Sequence, residues 1–249
     1  MTVYQITLTV EPPFLLVKPF VTEEEFYRDA TEDSNWEYLD GRIVMHSPAS
    51  NWHEDRFRFL LTLLSAYLDE RGGAVVRGSR YPMRLDERWS PEPDLLVVRD
   101  DRRHLLGTNR LEGPADLVIE IASDSDPGLD VREKLPRYRE AGVDEIWLVN
   151  PFEQVVRVEV REPGGYAAQR LTAGRLTSRV VPGFWIEVGW LWQERLPSTL
   201  ACLREILAAA GQPPRGLSIA CGPDRSQRGV FCLLRFVACS GVRPRSRLQ

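Results

Sequence analysis

Lysine is nearly absent from this chain: of 32 basic residues only Lys18 and Lys134 are lysines, and every other one is an arginine. Where arginine is the default cation, a lysine raises the question of what an arginine could not do in its place. Cysteine is confined to the end of the chain, at Cys202, Cys221, Cys232 and Cys239, and no two of them stand in a C-x-x-C pair. That pattern supports neither a zinc site nor a disulfide framework. Long apolar runs are missing as well. None approaches the roughly 20 residues needed to span a bilayer, and Met1–Phe14 has no basic start followed by a long apolar core. The expectation is a cytoplasmic protein with no membrane partner. Positive charge is not in excess either, with a formal net charge of -4 and a pI near 5.6. Phosphate binding rests on clustered Lys and Arg, so this balance speaks against a general nucleic-acid coat and leaves room only for a local basic patch.

What is present is ordinary globular composition, 43% hydrophobic and 27% charged over 249 residues, enough for one sizeable core. Thr22 with Glu25 three residues on fits a capping box and predicts a short helix from Glu23 to about Ala30. Asp40-Gly41 between Trp36–Leu39 and Arg42–His46 is a two-residue hairpin signal. Phe57, Leu60, Leu61, Leu64 and Leu68 share one helical face, which predicts a long helix over roughly Asn51–Glu70, closed by Gly72-Gly73. Strand-like runs follow at Ala74–Arg77, Tyr81–Leu85, Asp94–Val98, Leu117–Ile121 and Glu145–Val149. Val131–Ala141 reads as a second helix, and Val155–Arg161 with Tyr166–Leu171 as a hairpin. Asp100–Pro114 and Ser123–Asp130 read as loops, the mixed-sign run Arg99–Arg103 as solvated. Trp147, Trp185, Trp190 and Trp192 read as core or interface aromatics. This order predicts an α/β fold, a mixed central sheet flanked by helices, over residues 1–197. Residues 198–249 add a C-terminal helix, Thr199–Ala210, and a tail, Gly211–Gln249, that lacks periodicity and is expected to be poorly ordered.

Two carboxylates stand in apolar strands. Asp94 follows Pro93 and opens Leu95-Leu96-Val97-Val98; Glu120 sits late in Leu117–Ile121. A carboxylate in such a run is costly to bury unless paired, hydrogen-bonded or metal-bound, and two on neighbouring strands repel unless a cation lies between them. Mg²⁺ suits such a pair, because it takes one or two carboxylates, keeps several waters and accepts phosphate oxygens. The other reading stays open: Asp94 caps a turn, and Glu120 reaches solvent at a strand end.

Longer stretches carry a resemblance. They are Trp36-Glu37-Tyr38-Leu39-Asp40-Gly41, Ser47-Pro48 with nearby His53, and Glu92-Pro93-Asp94 running into its strand. Asp116–Ser123 and Glu133-Lys134-Leu135-Pro136-Arg137-Tyr138 follow, then Ala141–Pro151 and Pro182-Gly183-Phe184. In this order and spacing, from about Thr22 to about Trp192, the chain resembles the Uma-two family of endonucleases, within the PD-(D/E)XK restriction-endonuclease-like superfamily. The resemblance implies that fold and metal-dependent phosphodiester hydrolysis, with Mg²⁺ (or Mn²⁺) as cofactor and Asp94 and Glu120 as metal ligands. The motif lysine expected two residues after Glu120 is replaced by Ala122. The resemblance gives its role to Lys134 on the following helix, where an ammonium orients or helps deprotonate a water. Asp130 and Tyr138, four residues to either side, could share its helix face, although Pro136 would disturb that helix. Glu37 matches an early glutamate, implied as a third carboxylate at the catalytic site. His53 is expected to meet a substrate phosphate, while His46 and His104 read as surface or loop residues.

The lead reading is a Mg²⁺-dependent nuclease acting on DNA through Glu37, Asp94, Glu120 and Lys134. Two rivals remain: a catalytically silent nuclease-like module that binds nucleic acid or protein, and a phosphodiesterase acting on RNA or small nucleotides. A homo-oligomer could supply the positive groove that one chain lacks.

Overall fold

A computed structural model describes residues 10–31, 34–78, 80–126 and 128–209; the tail expected from Gly211 onward lies outside them. Its centre is a six-stranded mixed sheet in the order β12-β11-β10-β9-β7-β4. These strands are β4 (Ala74–Gly78), β7 (Leu95–Arg99), β9 (Leu117–Ile121), β10 (Glu145–Asn150), β11 (Val155–Glu162) and β12 (Gly165–Leu171). β9 and β10 run parallel, joined by a crossover that carries α3 (Leu135–Ala141); the other neighbours are antiparallel. A smaller sheet, β1-β3-β2-β6, holds β1 (Leu15–Lys18), β2 (Trp36–Leu39), β3 (Arg42–His46) and β6 (Trp89–Ser90), with α1 (Glu23–Asp29) beside it. Two-stranded pairs are formed by β5 (Met83–Arg84) with β8 (Leu111–Glu112), and by β13 (Arg175–Thr177) with β14 (Trp185–Glu187). The mixed α/β architecture is the one the sequence order predicts.

Strand alternation divides the core. Leu95 and Val97 of β7, Leu117, Ile119 and Ile121 of β9, and Trp147 and Val149 of β10 pack with Phe59, Leu60, Leu63, Leu64 and Tyr67 of α2 (Asn51–Arg71). The intervening residues, Leu96, Val98, Val118, Ile146 and Leu148, pack on the opposite face with Leu135 and Tyr138 of α3. A period of two leaves no other choice once both faces are covered. Glu120 has the parity of Val118 and so faces α3. The last helix, α4 (Thr199–Ala209), buries Cys202 and Ile206 in the α2-side core.

Several expectations need correction. Asp100–Pro114 is not wholly loop: Asp100–Leu105 forms a 3-10 turn and Leu111–Glu112 is β8. The run Arg99–Arg103 is not simply solvated, because Arg99 Nη1 and Arg102 Nη1 each lie 2.9 Å from Oδ1 of the fully buried Asp116. A carboxylate out of water needs such donors. Pro136 disturbs its helix without breaking it: it stands at the start of α3, and the turn ahead of it, Asp130–Lys134, is wound as a π-helix. The capping box at Thr22 is as read, with the Glu25 N–H donating to Thr22 Oγ1 at 3.2 Å and the Thr22 N–H to Glu25 Oε2 at 2.8 Å.

Candidate active site

β7 and β9 pair with Leu95 opposite Ile119 and Leu96 opposite Val118. Continuing that register by one residue brings Asp94 alongside Glu120, both on the α3 side of the sheet. Asp94 Oδ2 accepts the Ile121 N–H at 2.7 Å, and the Asp94 N–H points to Glu120 Oε2 at 3.4 Å. From the π-turn ahead of α3, Lys134 reaches the same place. Its Nζ lies 3.0 Å from Glu120 Oε1, 3.1 Å from Glu37 Oε1 and 2.9 Å from Asp130 Oδ1, with the side chain 4% exposed. The Tyr138 hydroxyl, one turn further on, donates to Glu120 Oε1.

Glu37 arrives from the small sheet. Its Oε1 accepts the Glu92 N–H at 2.9 Å, and its Oε2 lies 2.8 Å from His46 Nε2. His46, read from the sequence as a surface or loop residue, is therefore tied into the site, its side chain only 17% exposed. The hairpin register carried the signal, since Glu37 sits opposite Val44 and strand alternation puts His46 diagonally on the same face. His53, in the first turn of α2, places Nε2 3.2 Å from Asp94 Oδ1, and its own N–H meets the N-cap Ser50 Oγ at 3.3 Å. His53 thus contacts one of the predicted metal ligands.

Glu37, Asp94, Glu120, Lys134 and His53 all line one cleft of about 840 Å³, together with Glu92, Asp130 and Arg80. Its electrostatics follow from crowding carboxylates around one ammonium. Burial alone would lower the pKa of Lys134, but Asp130, Glu120 and Glu37 outweigh it and raise it well above the usual value. Burial raises Glu120 well above the carboxylate range; Lys134 opposes this, and Asp130, Asp94 and Glu37 add to it. Glu37 goes the other way, held at about 2 despite burial by Lys134, His46 and the Glu92 N–H. Burial and the Glu37 charge push Glu92 up to about 8.

Glu92 yields a test of this crowding. Its folded pKa exceeds the unfolded value of 4.5, so the fold favours the protonated form. The Glu92 contribution is therefore fully favourable below pH 4.5 and is lost as pH rises toward and past 8. In metal-free buffer, Glu92→Gln should flatten the fall in Tm between pH 5 and 8 and leave the variant more stable than wild type at the upper end. Parallel melting profiles for the two proteins would contradict it.

Asp94 and Glu120 meet at strand ends as a carboxylate pair, with more carboxylates nearby than one ammonium neutralises; among the described residues no three His, Cys, Asp or Glu side chains are placed to hold a metal ion. Two carboxylates with room for water is what Mg²⁺ or Mn²⁺ takes.

Comparison with known proteins agrees with the fold. A family described as "Uma2: Putative restriction endonuclease" matches residues 23–189. The chain belongs to the Uma2 family. The matched span contains every residue of the Uma2 cleft named above, from Glu37 to Lys134, together with Tyr138 behind it. A crystal structure described as a "putative nuclease belonging to DUF820" from Anabaena variabilis ATCC 29413 superposes with a TM-score of 0.60. It shares 17% identity and covers 69% of this Uma2 chain and 97% of its own, a likeness of fold. No curated protein matches. Among the described residues of this Uma2 protein no helix is long and apolar enough to cross a membrane.

Proposed function

We propose that the protein is a metal-dependent endonuclease that hydrolyses DNA phosphodiester bonds at the Asp94–Glu120–Lys134 cleft. The observation that carries this reading is the convergence of a strand-end carboxylate pair with one buried ammonium, reached from separate elements of the chain. Asp94 and Glu120 would hold the Mg²⁺ or Mn²⁺, which when bound supplies Lewis-acid polarisation of the phosphate and lowers the pKa of water. The Ile121 N–H and His53 fix the Asp94 carboxylate. Tyr138 fixes Glu120. With its raised pKa, Lys134 acts as a charged donor that orients an attacking water and offsets phosphate charge, in preference to acting as a base. Glu37, saturated by Lys134, His46 and the Glu92 N–H, serves to place the ammonium. The edge of His53 that lines the cleft is the candidate contact for a substrate phosphate.

A second reading, a phosphodiesterase acting on RNA or small nucleotides, draws on the acidic rim. Glu54, Asp124 and Asp126 line the same cleft, and a short substrate sets fewer phosphates against them.

Cleavage of single-stranded DNA, duplex DNA and RNA with Mg²⁺ or Mn²⁺ separates the two, with Asp94→Ala as the inactive control. Metal binding is read independently by melting. At free metal a hundredfold above Kd, linkage stabilises the fold by about 2.7 kcal/mol, and Asp94→Ala should abolish the rise in Tm. A wild-type protein indifferent to millimolar concentrations of either metal would sink the site.

A further inference from the structure

Asp130 is the carboxylate around Lys134 with the fewest other duties. Glu120 stands beside Asp94 and accepts from Tyr138. Glu37 accepts from His46 and the Glu92 N–H. Asp130 is also buried, yet the partner of its carboxylate among the described residues is Lys134 alone, at 2.9 Å. Charge balance does not account for it, because Glu37 and Glu120 already exceed one ammonium, and a third buried carboxylate adds desolvation and repulsion. Geometry does account for it. An ammonium carries three N–H donors in a tripod. One hydrogen bond, to Glu37, leaves the ammonium free to swing; the Glu120 and Asp130 ion pairs restrain it from two further directions, with the three N···O distances nearly equal at 3.1, 3.0 and 2.9 Å.

The backbone supplies the third acceptor at a fixed height. Asp130 opens the π-turn that ends at Lys134, and the Leu135 N–H closes it on the Asp130 carbonyl. Pro136 follows at once, so the wide turn and the regular α3 meet next to Lys134. Isolated π-turns of this kind concentrate at functional sites. We propose that Asp130 is a positioning residue: held by the π-turn, its carboxylate sets where the Lys134 ammonium stands relative to Glu120 and Glu37. This rests on the proposed reading in which Lys134 serves the reaction. An ordinary i,i+4 ion pair would affect stability only.

The scarcity of lysine makes the placement directly measurable. Labelling lysine side chains with ¹⁵N at Nζ yields two ammonium signals, exposed Lys18 and buried Lys134, and Lys18→Arg assigns them. In wild type the Lys134 protons should exchange slowly with water. In Asp130→Asn, which keeps the shape and removes the charge, exchange should quicken by about tenfold or more and the signal should move toward that of Lys18. If Asp130→Asn does not fold, Asp130→Glu, which displaces the carboxylate by one methylene, must still shift the Lys134 signal. An unchanged signal in the folded variant overturns the proposal. Activity provides the second arm: kcat should fall about 10- to 100-fold, as for a misplaced catalytic group, with KM within about twofold and part of the loss recovered in Asp130→Glu. A lower Tm with unchanged kcat per folded molecule overturns it. If wild type cleaves no nucleic acid, the function proposed above fails, and the ammonium signal still decides the role of Asp130.

Discussion

Lys134→Ala and Lys134→Arg should each cut phosphodiester cleavage by about a hundredfold or more, the range of general acid–base and electrostatic contributions. The two variants fail for different reasons. Alanine leaves Glu37, Glu120 and Asp130 around a buried space with no counter-charge, so a loss of stability of about 3–5 kcal/mol accompanies the loss of rate; turnover must be expressed per folded molecule. Arginine keeps the charge but must fit a planar fork where a side chain only 4% exposed meets three carboxylates within 3.1 Å. Because those carboxylates raise the Lys134 pKa, its ammonium persists through neutral and mildly alkaline pH. Its stabilisation is lost only as pH climbs through that raised value. No limb of the rate profile between pH 6 and 9 should therefore be removed by Lys134→Arg. Wild-type cleavage in the arginine variant would take Lys134 out of the mechanism.

Glu145→Ala should be among the most destabilising single changes in the fold, at about 4 kcal/mol, with a fall in Tm of roughly 10 °C or more. Glu145 is fully buried on β10 with no ion-pair partner among the described residues, and its carboxylate gathers donors. Oε1 accepts the Trp147 indole N–H at 2.8 Å; Oε2 accepts the Ser178 hydroxyl at 2.7 Å and the Arg179 and Val180 N–H groups, each at 2.9 Å. Truncation leaves these donors buried and unsatisfied, two of them on the backbone that links β13 to β14. Glu145→Gln keeps the volume and an oxygen for most of them, so its loss should be well under half that of alanine. Urea melts of the two variants decide the matter: equal, small losses would mean that water replaces the carboxylate and that the segment 178–180 is anchored by other contacts.

The site was legible in proportion to how local its signals were. Asp94 and Glu120 stood out because a charge inside a five-residue apolar run is anomalous on its own terms. Lys134 was singled out by the family resemblance, with which the scarcity of lysine agrees. The β2–β3 hairpin, α2 and the capping box at Thr22 each follow from residues three or four apart. Glu145 gave no such signal, because all but one of its donors lie more than thirty residues away. Asp116 is similar: its guanidinium partners come from a run of mixed charges that looks solvated when taken alone. His46 was recoverable from the hairpin register but not from its own neighbours.

The sequence by itself determined the main elements and their faces. Period two in β7 and β9 committed Glu120 to one side of the sheet, and the spacing of leucines committed α2 to the other. The tertiary structure decided which charges meet. The pairing register of β7 with β9 set Asp94 beside Glu120, the packing of α3 brought Lys134 and Tyr138 over them, and the small sheet delivered Glu37 and His46 from far away in the chain. Burial then raised the Glu120 pKa, while Lys134, His46 and the Glu92 N–H lowered that of Glu37. Local patterns fix where a side chain points, because the backbone period is intrinsic. They do not fix what it points at, because that depends on how layers far apart in sequence close on one another.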